Sequence, residues 1–309
     1  MGQPLRKMPA DWEPQTAPDP FRYGWRWHTV RLPGGEVLDE QVPLTADDLL
    51  DPQPGDQVGQ SQLHWEFLFL LARILDRFYE VRDDVALAVD LKMLWRIPGL
   101  KEPSPDMAVI PGVRQKVDPA RTSFDVVEEG VRPCLILEVV SATDPEIRRN
   151  DYEKKVKIYQ QVGIPEYVIL DPPTPVTGGR LLLLGYRLDR NGQYRPIQPD
   201  AQGCLLSETT NLLFGAGEDG RTPVVFNAQT GERLLDPKEQ ADRAEEKAAR
   251  EVEARKIEAT ARLAAEARAD REAEARKAAE EQAAREAEAR RTAEAEVARL
   301  RAELQKTRR

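Results

Sequence analysis

Residues 236–309 differ in composition from everything before them, and this difference limits how the chain can fold. These 74 residues contain 23 alanines and 38 charged side chains, and neither Gly nor Pro occurs after Pro237. Ala, Glu, Lys and Arg are strong helix formers, so the segment predicts one continuous helix. It supplies almost no apolar surface, so the hydrophobic core must come from the residues before it.

Large apolar residues are rare in this segment, which limits its self-association. Only Val297, Leu300 and Leu304 follow the a/d spacing of a coiled coil, which allows at most a weak homodimer. The pattern leaves open a solvated single helix and an alanine-rich coiled coil. The simplest role for either is a charged spacer without chemistry.

The net charge bears on which partners the protein can bind. The formal charge of −9 lies entirely in residues 1–235, which hold 35 acidic and 26 basic residues, because 19 acidic and 19 basic residues cancel after them. A body of this charge is not a polybasic nucleic-acid binder. Contact with a nucleic acid would require a small basic patch or a bound metal ion.

The few cysteines and histidines and the short apolar runs exclude further classes of protein. Cys134 and Cys204 cannot form a disulfide framework, and His28 and His64 cannot form a multi-histidine zinc site. No apolar run approaches the roughly 18 residues of a membrane helix. The first residues also lack the apolar region of a secretory signal. We therefore expect a cytoplasmic protein without membrane contact.

The hydrophobic pattern before Asp236 predicts an α/β (α+β) fold. Helices are predicted at 61–79 and 146–162, and strands at 85–95, 106–110, 134–140, 167–170 and 181–188. Residues 21–42 predict a hairpin that turns at Pro33-Gly34-Gly35. Three parts follow: an N-terminal extension over 1–60 whose hairpin packs on the core, a domain over 61–235 with a mixed sheet flanked by helices, and a helical tail over 236–309.

A carboxylate interrupts the most apolar strand. Glu138 stands inside the run Cys134–Val140, which otherwise predicts a central strand buried on both faces. A buried ionised carboxylate is costly unless it is paired or binds a cation. The alternative is a Glu at the strand end that reaches solvent.

Charged residues also lie on the apolar arc of the predicted helix 146–162. In helical projection Arg148, Asp151 and Lys155 fall among its apolar residues. A buried lysine requires an anion, either a protein carboxylate or a substrate phosphate. The alternative is an internal i,i+4 pair between Lys155 and Asp151 whose aliphatic stems cover apolar surface.

Asp106 opens the short strand 106–110 directly after Pro105. Taken alone, it is an ordinary turn residue. The order Asp106, Glu138, Lys155 changes this interpretation. Two carboxylates supply the oxygen ligands that Mg²⁺ prefers, and a lysine can orient water beside the ion.

This order of residues resembles the PD-(D/E)XK nuclease superfamily, which has the restriction-endonuclease-like fold. More closely, Ile136–Ser141, Arg149–Asp151 with Lys155 and Tyr159, and Gly163–Asp171 resemble the Uma-type restriction endonuclease family. Members of that family often end in helices rich in Ala, Glu and Arg, as this chain does. The resemblance covers roughly residues 60–190.

The resemblance implies roles for individual residues. Asp106 and Glu138 correspond to metal ligands for Mg²⁺ (or Mn²⁺). The simplest superfamily signature has a lysine two residues after the Glu, where this chain has Val140. Relatives with the lysine on the following helix match Lys155 instead, which makes Lys155 the third catalytic residue.

Further candidates complete the predicted site. An acidic residue on the first helix belongs to the superfamily pattern, and Glu66 with nearby His64 is the candidate. Asp90 lies in the middle of the predicted strand 85–95 and is another carboxylate candidate. Asp151 is a candidate on the helix, and Arg148, one turn before it, could contact a phosphate oxygen.

Two functions from different classes follow. The first is a metal-dependent endonuclease that hydrolyses phosphodiester bonds in DNA, in which Lys155 positions water and stabilises the transition state. The second is a catalytically silent nuclease-like fold that acts as a binding or scaffold protein through its helical tail. The first is favoured, because a silent site has no reason to keep Asp106, Glu138 and Lys155 in apolar surroundings.

Overall fold

A computed structural model describes residues 19–141 and 145–307. The chain divides into two compact units, Met1–Glu239 and Gln240–Arg309. The first 18 residues of the predicted N-terminal extension lie outside the described ranges. None of the helices within those ranges combines the length and the apolarity needed to cross a membrane.

The elements follow one another as a mixture of strands and helices. The strands are β1 (Gly24–Arg31), β2 (Val37–Pro43), β3 (Gln57–Val58), β4 (Val85–Val89), β5 (Lys92–Leu94), β6 (Met107–Pro111), β7 (Ser123–Asp125), β8 (Leu135–Val139), β9 (Glu166–Asp171), β10 (Leu182–Leu188), β11 (Tyr194–Pro196), β12 (Leu205–Ser207), β13 (Leu212–Ala216), β14 (Pro223–Asn227) and β15 (Arg233–Leu234). The helices are α1 (Gln62–Tyr79), α2 (Val126–Glu129), α3 (Pro145–Arg149), α4 (Lys155–Gln161) and α5 (Pro237–Thr307). A 3₁₀ turn spans Asp48–Leu50, and a π-helical turn spans Asn150–Lys154 between α3 and α4.

A six-stranded sheet forms the centre of the first unit, in the order β11-β10-β9-β8-β6-β4. Strands β8 and β9 are parallel, and their neighbours pair antiparallel. Helix α1 packs on one face, where Leu71 and Leu75 join Leu135 and Leu137 in the core. On the other face, Tyr159 of α4 belongs to a second core cluster. The predicted mixed α/β fold with a sheet flanked by helices is confirmed.

Three smaller sheets complete the described part of the first unit. Strand β1 pairs with both β2 and β3, so the predicted hairpin is confirmed. Strands β12–β15 form an antiparallel sheet in chain order, and β5 pairs parallel with β7.

The N-terminal end of α1 follows from its capping residue. The Ser61 hydroxyl accepts the backbone N–H of His64 at 3.2 Å, which satisfies one of the free donors of the first turn. This cap fixes where the helix begins, and the predicted helix at 61–79 is confirmed to within one residue.

The predicted strand 85–95 is wrong as a single element. Strand β4 ends at Val89, and β5 begins at Lys92 in a different sheet. Between them Asp90 has a left-handed backbone with φ of 48°, which ends the extended run. Asp adopts this conformation more easily than most residues because its short polar side chain can hydrogen-bond locally.

The predicted helix 146–162 is also interrupted. It consists of α3, the π-helical turn and α4, and the Lys155 N–H donates to the carbonyl of Asn150, five residues earlier. Gly163, with φ of 74°, ends the segment at the predicted place. The helical projection of the sequence assumed a regular α-helix, so it could not include the extra residue of this turn.

The predicted continuous C-terminal helix is confirmed. Helix α5 runs for 71 residues from Pro237 to Thr307. Ion pairs join residues four apart along it, among them Arg262 with Glu266 and Arg276 with Glu280. Each such exposed pair contributes only about 0.2–0.5 kcal/mol, so helix propensity is the main local source of its stability.

Candidate active site

A pocket of about 340 Å³ lies where β6 begins and β8 ends. The side chains that line it come from the segment 49–60 with β3, from α1, from the turn between β4 and β5, from the residues just before β6, from β8 and the residues after it, and from α3 and the π-helical turn with the start of α4. Those with ionisable groups are Asp56, His64, Asp90, Asp106, Glu138, Asp151 and Lys155. The structure thus brings together most of the residues predicted from the sequence.

Strand register places Asp106 beside Glu138. Strand β6 pairs antiparallel with β8, with Met107 opposite Leu137, so Asp106 and Glu138 are the next pair along. The Val139 N–H donates to Asp106 Oδ2 at 2.6 Å, and the Asp106 N–H donates to Glu138 Oε2 at 3.4 Å. Both carboxylates are therefore held by the backbone of the neighbouring strand.

Glu138 is buried, so the alternative in which it reaches solvent is wrong. Its side chain is 1% exposed, and the Tyr159 hydroxyl donates to its Oε1 at 2.8 Å. Burial raises the pKa of Glu138 to about 8, against the opposing effect of Lys155 and with support from Asp106 and Asp151. Burial is therefore the dominant influence on this carboxyl.

Lys155 bridges two of the acids. Its Nζ lies 2.9 Å from Glu138 Oε2 and 2.8 Å from Asp151 Oδ1. The i,i+4 pair with Asp151 therefore exists, but it does not account for the lysine alone. Burial opposes the charged form, yet Asp151 and Glu138 outweigh it and raise the pKa of Lys155. The residue is a permanent cation at neutral pH.

Asp151 shares this ammonium with Glu138. Burial raises the pKa of Asp151, and Lys155 only partly offsets that effect. The Tyr167 hydroxyl donates to the backbone carbonyl of Asp151 at 2.9 Å, which anchors the π-helical turn to β9. This anchor positions the turn that carries Asp151 and leads directly into Lys155.

His64 of α1 faces Asp106 from the opposite wall. Its Nε2 lies 3.4 Å from Asp106 Oδ1. Neither ring nitrogen has a hydrogen-bond partner of good geometry within the described residues, so the contact is mainly electrostatic. Burial disfavours the charged imidazole, but Asp106 outweighs it and raises the pKa of His64. Burial likewise opposes ionisation of Asp106, but His64 and Lys155 outweigh it and lower its pKa.

Asp90 reaches the pocket because of its left-handed backbone. Its N–H donates to the carbonyl of Asp106 at 3.1 Å. Although part of the residue is exposed to solvent, partial burial in the pocket raises the pKa of its carboxyl. The negative charge of Asp106 raises it further.

Glu66 and Arg148 do not line the pocket. Glu66 is exposed on α1 and accepts a hydrogen bond from Gln62 at 2.9 Å. Arg148 donates two hydrogen bonds to Asp171, one of them at 2.7 Å, and its guanidinium lies over the ring of Tyr152. It braces the helix against the end of β9 instead of facing a phosphate in the pocket.

The donor set fits a divalent cation. Within residues 19–141 and 145–307, no three His, Cys, Asp or Glu side chains are grouped to enclose an ion. Mg²⁺, however, commonly binds through one or two carboxylates and completes its shell with water and substrate phosphates. The described lining contains five carboxylates and one lysine. This excess of negative charge, with the raised pKa of Glu138, is the chemistry that a divalent cation would neutralise.

Sequence reasoning missed three contributions to the site. The Val139 amide that holds Asp106 is a backbone group and leaves no signal in the sequence. The fully buried Asp171 left a weak signal in the sequence, because this charged residue directly follows the apolar residues 168–170. Trp65 lines the pocket. Its role could have been predicted from the sequence, because it is an aromatic residue on the polar side of an amphipathic helix.

Comparisons with known proteins gave one family match and one similar crystal structure among those found. A sequence profile of the Uma2 family, described as "Putative restriction endonuclease", matches residues 51–215, just over half of the chain. The chain is also similar to a 1.96 Å crystal structure from Anabaena variabilis ATCC 29413, described as that of "a putative nuclease belonging to DUF820". That match has a TM-score of 0.32 and 11% identity, and it covers 56% of this chain and 79% of the other. No curated protein matches the chain.

Proposed function

Since the chain belongs to the Uma2 restriction endonuclease family, we propose that it is a metal-dependent endonuclease that hydrolyses phosphodiester bonds in DNA. The observation that carries the proposal is the convergence of Asp106, Glu138 and Lys155 in one pocket, at the contact distances given above. The matched range 51–215 contains all three residues.

Asp106 and Glu138 are the proposed ligands of Mg²⁺ or Mn²⁺. The bound ion would polarise a phosphate oxygen and lower the pKa of a coordinated water. Asp106 suits this task because its lowered pKa keeps it ionised. A bound cation would favour the ionised form of Glu138 against the burial that raises its pKa.

Lys155 supplies fixed positive charge next to these carboxylates. In hydrolysis a water oxygen bonds to phosphorus and gives up a proton to the solvent, the bond from phosphorus to the leaving oxygen breaks, and the leaving oxygen takes up a proton from the solvent. Negative charge grows on the non-bridging oxygens during this step. Because its pKa is raised, Lys155 acts through its charge and its N–H donors and not as a general base.

Metal binding is the decisive test of this proposal. Isothermal titration with Mg²⁺ and Mn²⁺ should show binding to the wild type and loss of binding in Glu138→Ala. Glu66→Ala is the matched control, because it removes an exposed carboxylate from the helix that forms one wall of the pocket. The wild type, but not Glu138→Ala, should then cleave DNA in Mg²⁺.

The opposite outcome would favour the second function. A wild type that binds neither Mg²⁺ nor Mn²⁺ and cleaves no DNA would refute the nuclease proposal. The scaffold function through α5 would then be the better explanation.

A further inference from the structure

Two large aromatic side chains are exposed on the helix that forms one wall of the pocket. Trp65 and Phe69, four residues apart on α1, are 37% and 53% exposed. Their rings stack with centroids 5.2 Å apart and planes 22° from parallel. The core face of the same helix is formed by other residues, since Leu68, Leu71 and Leu75 are fully buried. The two exposed rings therefore do not belong to that face.

This aromatic pair begins at the candidate active site. Trp65 itself lines the pocket. Its ring centroid lies 6.1 Å from that of His64, whose Nε2 contacts Asp106. Val58 of β3, also exposed, lines the same rim. An apolar, aromatic surface therefore adjoins the acidic centre of the pocket.

The charge of the pocket makes phosphate contacts a poor source of affinity. Its described lining holds five carboxylates against one lysine, and Lys155 is already shared between Glu138 and Asp151. Nucleic-acid binding through phosphates depends on lysines and arginines that displace counterions. Beyond a bound metal ion, a polyanionic strand at this site needs another kind of contact to gain affinity.

We propose that Trp65 and Phe69 form a stacking platform for an unpaired nucleobase of the substrate strand, beside the site of hydrolysis. Every nucleobase has a π-face, so stacking on aromatic side chains needs neither protein cations nor a particular sequence. Such a base must be free of its neighbours in the duplex, which makes single-stranded or locally opened DNA the substrate class. This inference rests on the proposed function, and it identifies the form of nucleic acid that the same site takes.

Strand binding with and without bases tests the platform directly. The probe is a fluorescein-labelled oligothymidylate, compared with a strand of equal length in which every base is replaced by an abasic site. Fluorescence anisotropy is measured on the full chain in Ca²⁺, which replaces Mg²⁺ to prevent cleavage. The variants are Trp65→Ala, Phe69→Ala and Phe69→Leu, the last of which keeps apolar area without a ring. The matched control is Val81→Ala, an exposed apolar residue just beyond α1.

The platform predicts a base-dependent pattern. The wild type should bind oligothymidylate roughly tenfold or more tightly than the abasic strand, as stacking of a base on an aromatic ring implies. All three platform variants should lose this preference with unchanged melting temperatures, and Val81→Ala should keep it. The dependence of affinity on salt should be shallow, because few counterions are released.

Other outcomes separate this inference from the proposed function. Equal wild-type affinity for both strands, or none for either, would overturn the platform, even if the enzyme cleaves DNA. A base preference that the variants abolish, in a protein without cleavage, would keep the platform and refute the nuclease. A homodimer in light scattering that Phe69→Ala dissociates, with strand binding unchanged, would assign the aromatic pair to a second copy and overturn the inference.

Discussion

The ammonium of Lys155 lies 2.9 Å from Glu138 Oε2, although Glu138 lies on strand β8 of the central sheet and Lys155 begins helix α4. The same ammonium lies 2.8 Å from Asp151. One cation therefore compensates two buried carboxylates. This shared pairing gives Lys155 a structural role beside the proposed catalytic one, and the two roles have different consequences in a variant.

Lys155→Met should separate these roles. Without substrate or metal, Glu138 and Asp151 lose their cation, so the melting temperature should fall, and added Mg²⁺ should restore part of it. Cleavage per folded molecule should fall by a factor on the order of 10²–10³, as for the loss of one electrostatic contact in the transition state. Melting temperature and turnover are measured on the same preparation. A destabilised variant with full specific activity would end the catalytic role of this lysine.

Asp106→Asn and Asp151→Asn should differ in metal affinity. Both carboxylates are buried in the same pocket, but only Asp106 is proposed as a ligand. Asp106→Asn should therefore abolish Mg²⁺ binding in isothermal titration, whereas Asp151→Asn should leave it within a few-fold of the wild type. Equal losses in the two variants would show that Asp151 holds the ion as well.

The left-handed backbone at Asp90 predicts an unusual order of stabilities. Asn and Gly adopt φ near 48° more easily than Ala, so Asp90→Asn and Asp90→Gly should unfold at higher temperature than Asp90→Ala. The penalty for Ala should be about 1–2 kcal/mol in the free energy of unfolding, measured by denaturant titration. If Asp90→Ala were the most stable of the three variants, backbone strain at residue 90 would not be what limits the stability of the protein there.

A buried carboxylate outside the pocket should make stability depend on pH. Burial would raise the pKa of Glu166, but hydrogen bonds from Ser207, Thr209 and Arg187 outweigh it and lower the pKa. The unfolded chain then binds this proton at higher pH than the folded one. Stability from this group is present above the unfolded pKa of about 4.3 and is lost as pH falls through the folded pKa.

Glu166→Gln tests that assignment. The difference in unfolding free energy between wild type and variant should be largest near neutral pH and shrink as the solution becomes acidic. The control is Glu208→Gln, which removes an exposed carboxylate that pairs with the same Arg187. A pH-independent difference for Glu166→Gln would contradict the lowered pKa.

Much of the site could be predicted, because a charged residue within an apolar sequence pattern is unusual. Glu138 inside an apolar strand and Lys155 on the apolar arc of a helix are each costly alone, and the structure shows that they compensate each other. Asp106 was detectable only through its order in the chain. Its place beside Glu138 comes from strand register, which a local sequence pattern does not determine.

The errors arose where one residue changes the direction of the backbone. The alternation through 85–95 is that of a continuous strand, and only the left-handed φ of Asp90 divides it between two sheets. Arg148 looked available for a phosphate, because its partner Asp171 is distant in sequence and meets it only when β9 packs beside the helix. Both features depend on tertiary structure, which the periodicity of the sequence does not contain.

The geometry of the pocket depends on the number of residues in the π-helical turn. Each helical residue rotates the chain by about 100°, so removing Tyr152 from Asn150–Lys154 would turn Asp151 and the residues before it away from the face presented by Lys155. Every acidic and basic residue of the pocket would still be present in such a sequence, in the same order. A relative with that deletion would carry the full signature of the site without its geometry, so the spacing between Asp151 and Lys155 is a more stringent criterion for an assembled pocket than the identities of the residues alone.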